Sequence, residues 1–241
     1  MIETVKEGTL PFDLIAEKGP AAVYFLDPSG RFYRLRRESE TAGLILLRGP
    51  SFYHISFLPE TPAEREELFA FAEASGAKEI ISDLPFEGSI PLKVLTLSFL
   101  SPRETEMPIK EASGRLYDGC YRLLASVGFP LPDFDEYYVT AFARAQKGAP
   151  TLVALDGERV AATASVLFSG EKYALLGAVA TDPDYRKRGL AAALVSKCAA
   201  RVLADGKTPI ITCFTENAER LYKSLGFTDA ALLYKKMRRD F

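Results

Sequence analysis

The chain has 241 residues, 48% of them hydrophobic and 26% charged, the balance of a soluble globular protein of one to two domains. Thirty Lys and Arg against 32 Asp and Glu leave a formal charge of −2, which argues against general nucleic-acid binding, whose affinity comes from phosphate neutralisation. No apolar run reaches the ~18–20 residues of a spanning helix, and the mixed-charge start Met1-Ile2-Glu3-Thr4-Val5-Lys6-Glu7 lacks a signal peptide's basic start and apolar core.

In chain order, residues 21–26 read as a strand followed by the turn Asp27-Pro28-Ser29-Gly30. Residues 31–36, 43–47 and 51–58 are further strands, 63–74 a helix ending at Gly76, and 79–82 a strand. The single histidine, His54, lies in the third of these strands with no nucleophile-elbow motif elsewhere, and reads as structural. The proline-containing segment 87–110 is the linker candidate, with a strand at 92–100 inside it. Residues 114–127 place Leu116, Cys120, Leu123, Leu124 and Val127 at helical spacing, and Gly128 and Pro130 end that helix. A second helix covers 135–146. The period then changes to strands at 151–155 and 159–168, joined by the tight turn Asp156-Gly157, and at 173–180. A helix runs from Leu190 to Ala204, closed by Gly206. A strand at 208–214, a short helix at 217–225 opened by Asn217 and closed by Gly226, and a final strand at 232–237 complete the chain.

Both halves therefore run strand, strand, strand, helix, strand, which points to a duplicated architecture. Cys120, Cys198 and Cys213 are widely spaced and odd in number, so they suggest neither a disulfide framework nor a zinc site, and the expected address is a reducing cytoplasm. Cys120 and Cys213 fall on apolar faces and read as core. The basic cluster Lys235-Lys236-Met237-Arg238-Arg239 reads as solvated.

One stretch carries chemistry: Val179-Ala180-Thr181-Asp182-Pro183-Asp184-Tyr185-Arg186-Lys187-Arg188-Gly189-Leu190-Ala191. An apolar strand leads through a basic loop and a glycine into a helix, which is the construction of an anion cradle. The first helical turn offers unpaired N–H groups and the positive end of the dipole. Gly189 lets a diphosphate approach the backbone, and Arg186, Lys187 and Arg188 add positive charge, though not all three can point inward. A solvated basic turn before an ordinary Ala-rich helix is the alternative.

The order Arg186-Lys187-Arg188-Gly189-Leu190-Ala191 resembles the acetyl-CoA motif Gln/Arg-x-x-Gly-x-Gly/Ala of the GNAT N-acetyltransferases. Asn217-Ala218-Glu219-Arg220-Leu221-Tyr222-Lys223-Ser224-Leu225-Gly226-Phe227 resembles that family's second signature. The likeness covers roughly residues 109–237; the first hundred residues lack the cradle. It implies an α/β fold of two lobes: a GNAT domain at 109–241 with a mixed, mainly antiparallel sheet flanked by helices, and a smaller degenerate GNAT-like lobe at 1–108.

The resemblance also implies site roles. Backbone groups of Ala178, Val179 and Ala180 would bind pantetheine and polarise the thioester. N–H groups from Arg186 through Lys187, Arg188, Gly189 and Leu190 to Ala191 would hold the diphosphate. Asn217 would touch the cofactor arm while capping its helix, and Tyr222 would protonate the leaving thiolate as general acid, or else simply pack beside Leu221 and Phe227. The family often places a base on the central strands, but residues 173–180 hold no carboxylate. Glu216 is the nearest acidic candidate for the base. Asp133, Asp135 and Glu136 read as an acid-rich helix start.

The expected activity is transfer of an acetyl or other short acyl group from acetyl-CoA to a primary amine by direct attack. The acceptor would be a small molecule or a peptide, and the protein a monomer or homodimer without nucleic-acid, membrane or metal partners. The competing expectation is a catalytically silent acyl-CoA-binding or sensing protein of the same fold.

Overall fold

The computed structural model describes residues 1–5, 10–25 and 29–237. Residues 27–28 of the first expected turn, and residues 238–239 of the terminal charge cluster, lie outside the described residues. Two compact units divide the chain: Met1–Lys93 with Ala231–Phe241, and Val94–Ala230. The division read from sequence at 108/109 falls inside the second of these.

The first unit begins with β1 (Ile2–Thr4) and α1 (Phe12–Glu17). Residues 21–26 do not form the expected strand: Gly19–Phe25 is a 3-10 helix, and Leu26 is outside the described residues. Gly19 adopts φ +53° and Ala21 N donates to Lys18 O, so the chain winds into i→i+3 bonds where a short apolar run alone cannot separate helix from strand. β2 (Arg31–Arg37), β3 (Glu40–Arg48) and β4 (Ser51–Ser56) follow as antiparallel neighbours. α2 (Pro62–Ala74) returns the chain to β5 (Glu79–Ser82), which pairs parallel with β4. Phe52, Leu68, Ala72 and Ile80 pack into one core between α2 and the sheet. Residues 234–237 of β12 (Phe227–Met237) close this sheet against β5, giving the order β1-β2-β3-β4-β5-β12. That pairing corrects the reading of a solvated basic tail at two positions. Lys235 is buried in an ion pair with Glu79, and Lys236 Nζ donates to Glu87 O.

β6 (Ile90–Leu97) supplies residues 94–97 to the second unit, so the linker candidate 87–110 contains a buried strand with Val94, Leu95 and Leu97 in the core. β7 (Ile109–Glu111), α3 (Leu116–Ser126) and α4 (Phe134–Gln146) come next. Then follow β8 (Thr151–Asp156), β9 (Arg159–Ser169), β10 (Tyr173–Thr181), α5 (Leu190–Ala204), β11 (Thr208–Cys213) and α6 (Glu216–Ser224). The sheet order is β12-β6-β11-β10-β9-β8-β7. Helices cover both faces. α5 packs Leu190, Leu194, Val195 and Val202 on one side, while Tyr117, Cys120, Leu124 and Tyr137 of α3 and α4 pack on the other. Burial from both sides explains why β9 reads Val-Ala-Ala-Thr-Ala-Ser-Val without polar alternation. All three cysteines are free and buried.

The repeated succession seen in the sequence is present with the same pairing senses. β2-β3-β4 and β8-β9-β10 are antiparallel meanders, and each is followed by a helix and a strand that pairs parallel with the meander's third strand. Among the described residues no helix is long and apolar enough to cross a membrane.

Candidate active site in the second unit

The site begins with a fault in the sheet. β10 and β11 pair in parallel only from Tyr173↔Thr208 to Leu176↔Ile211, although β10 continues to Thr181 and β11 to Cys213. On its other side, β10 takes three steps from Gly177 to Ala180 while β9 takes two, from Ser165 to Thr163. That extra residue is a β-bulge, which bends and twists the strand carrying it. Ala178 sits in the bulge at φ +49°, a left-handed conformation that a non-glycine residue holds only under constraint. At the preceding Gly177 a Cβ would come 2.5 Å from Leu167 Cδ1, so that side chain would have to shift. Beyond Leu176 the backbone of Gly177–Thr181 thus has no strand partner on the β11 side among the described residues. Ala178, Val179 and Ala180, predicted as binding residues, all lie in this stretch.

At the end of β10, Asp182 caps a short 3-10 turn (Pro183–Tyr185) by accepting from Asp184 N. The loop then passes through Lys187 at φ +61° to Gly189 at +75°, the N-cap of α5. Gly189 offers no side-chain cap, and the first helical bond runs from Ala193 N to Gly189 O. Helix geometry leaves the N–H groups of Leu190, Ala191 and Ala192 without an intrahelical acceptor. These three residues line a hollow of about 180 Å³ together with Thr181, Arg186, Lys187, Gly189 and Leu221. Its own chain neighbours aside, no described residue comes within 4 Å of where a Gly189 Cβ would be.

The three cations differ. Arg186 donates from Nε to Thr181 O at 3.3 Å and lines the hollow with Lys187. Arg188 turns back: its Nη2 donates to Asp184 O, and its guanidinium lies 5.1 Å from the Tyr185 ring centre. Across the loop Arg159 bridges Asp182 and Asp184 at 2.7 and 3.1 Å. Burial works against the ionised form of Asp182, yet the hydrogen bonds from Arg159 and from Asp184 N hold its carboxyl below the usual value.

Tyr222, on α6, is 6% exposed and shares a core with Leu176 and Cys213. Its hydroxyl makes no hydrogen bond among the described residues. Burial, then the nearby Cys213, pushes the phenol's pKa upward. Asn217 departs from its expected structural role. Thr215 is the N-cap of α6, its hydroxyl accepting from Ala218 N, and Asn217 stands at the second helical position with Oδ1 accepting from Arg220. Both residue types cap helices, and here the one two positions earlier has the extended backbone that a cap requires. Glu216 is exposed in the same first turn.

Gly177, Arg159 and Thr215 contribute to the site without having been singled out in the sequence. The glycine inside an otherwise apolar strand was the one available signal; Arg159 is distant in sequence from the loop that it holds.

The family model described as Acetyltransferase (GNAT) family matches residues 115–227. No curated protein matches the chain. Among solved structures, a GCN5-related N-acetyltransferase-like protein from Streptococcus suis is 18% identical, with 96% of this chain and 95% of that one covered at a TM-score of 0.61. A GCN5-related N-acetyltransferase from Kribbella flavida is 14% identical, with 92% and 95% covered at 0.63. A GNAT-family acetyltransferase from Colwellia psychrerythraea is 14% identical, with 99% and 100% covered at 0.59. At these identities the likeness is one of fold. The family model matches residues 115–227, and the solved structures share the fold of the chain.

Proposed function

We propose that the second unit transfers an acetyl or other short acyl group from acyl-CoA to a primary amine by direct attack. The observation that carries this reading is the coincidence of two open backbone surfaces, the unpaired stretch of β10 and the uncapped first turn of α5. The unpaired stretch suits an extended amide arm taken up as an added strand. The uncapped turn, with Arg186 and Lys187, suits a diphosphate. Acyl-CoA supplies an acyl group activated as a thioester and departs as a thiol.

This chain's residues then have three tasks. N–H groups of Leu190, Ala191 and Ala192 hold the anionic end, and N–H groups around the bulge orient and polarise the carbonyl. Tyr222 holds a proton at its hydroxyl for the departing sulfur, and its raised pKa keeps it loaded at neutral pH. Glu216 is the candidate acceptor of the amine's proton, exposed to solvent that can carry the proton away. Alignment of the two reactants supplies much of the rate. The first unit serves as a degenerate GNAT-like lobe that binds no acyl-CoA.

The absence of a carboxylate from β10 favours a second reading, a protein that binds acyl-CoA without turning it over. Thiol release from acetyl-CoA, measured across a panel of small and peptide amines, separates the two. Release that depends on one amine class, and is lost in Gly189→Glu, is the expected outcome. Binding without release for any amine would support the sensor.

A further inference from the structure

The cradle loop combines two left-handed residues with three consecutive cations. Such a segment keeps one shape only where its surroundings over-determine it. The turn between β8 and β9 supplies that constraint. Tyr185 donates its hydroxyl proton to Asp156 Oδ2 at 2.6 Å. Arg159 clasps both loop carboxylates, Asp182 and Asp184. The guanidinium groups of Arg159 and Arg188 each lie 5.1 Å from the Tyr185 ring centre, within reach of cation–π attraction.

We propose that Arg159 and Tyr185 are positioning residues that set the affinity for the nucleotide end of acyl-CoA without touching it. The proposal rests on the acyl-CoA reading of the site. Arg159 acts in two ways. It fixes the loop so that the N–H groups ahead of α5 converge, and it neutralises two carboxylates in the loop that must accept a diphosphate. Tyr185 draws Arg188 back from the hollow, leaving Arg186 and Lys187 as its cationic lining. Asp156 anchors the ring from the far side.

The test is calorimetric titration of the full chain with acetyl-CoA. Arg159→Gln is expected to raise Kd about tenfold, the scale of a charge-assisted contact, with the unliganded thermal midpoint little changed. Adding Asp184→Asn to Arg159→Gln removes one uncompensated carboxylate and is expected to restore much of the lost affinity. A purely structural role for Arg159 would not produce that rescue. Tyr185→Phe keeps the ring and is expected to weaken binding less than Tyr185→Leu. Unchanged affinity in Arg159→Gln would overturn the positioning role while leaving the acyl-CoA site standing, and no rescue in the double variant would overturn the neutralising action of Arg159. No binding by the parent protein would overturn both.

Discussion

In the proposed reaction Tyr222 gives up a proton; its hydroxyl makes no hydrogen bond among the described residues and sits in a core that resists its ionisation. A general acid must be protonated to act, and burial raises the pKa, so loss of Tyr222's proton cannot limit turnover below the ordinary phenol value of about 10. A pH profile of kcat should show no alkaline limb from this residue below that point. Tyr222→Phe should lower kcat by about tenfold or more while Kd for acetyl-CoA stays within about twofold; equal kcat would assign the proton to water. Gly189 is the position where the sequence spoke most directly, because its left-handed N-cap conformation favours glycine. Thr215 was hidden by ambiguity, since Thr and Asn two residues apart both suit a helix start and only the backbone chooses between them. Arg159 was hidden by distance, since a clasp between residues 159 and 184 leaves no local spacing to read.

Whole elements depend on a few contacts that local patterns do not reveal. The turn from α6 into β12 passes through Gly226 at φ +100°, where a Cβ would fall 2.1 Å from Phe99 O. Backbone cannot yield as a flexible side chain can, so Gly226→Ala should destabilise the protein by about 2 kcal/mol or more. Thermal unfolding would show it, and an unchanged midpoint would contradict the close approach. α2 starts with a capping box in which Thr61 and Glu64 exchange hydrogen bonds, and Arg37 Nε donates to Glu64 at 2.8 Å. The hydrogen bond from Arg37 is the largest cause of a Glu64 pKa lowered from 4.5 to about 2. A depressed carboxyl contributes stability above its unfolded pKa and loses it as pH falls through the folded one. The contribution should therefore fade between about pH 4.5 and 2, and Glu64→Gln should flatten the stability curve across that window. A curve as steep as the parent's would place the acid sensitivity elsewhere.

At the scale of the molecule, the two units share a pairing scheme but not an open site. In the first, the parallel pairing of β4 and β5 ends at His54↔Ser82 after four residue pairs, as that of β10 and β11 ends at Leu176↔Ile211 after four. Beyond that point the second unit leaves its backbone open. The first unit fills the corresponding place. Asp83 accepts from Ser56 N with both carboxylate oxygens and from Ser56 Oγ at 2.8 Å, and buried His54 lies between Ser82 and Glu60. Its α2 likewise turns Glu64 onto its own first turn and begins with Pro62, which has no N–H to offer. The order of strands and helices was legible because hydrophobic period and glycine punctuation are local. The 3-10 helix at Gly19–Phe25, the bulge at Ala178 and the plug around Asp83 were not, because backbone dihedrals and partners far along the chain decide them.

The most direct test of this account is the stoichiometry of acetyl-CoA binding. Calorimetric titration at moderate salt should give one site per chain with micromolar affinity, abolished by Gly189→Glu and unaffected by Asp83→Asn. Two sites per chain, a site that survives Gly189→Glu, or no binding up to millimolar ligand would contradict it.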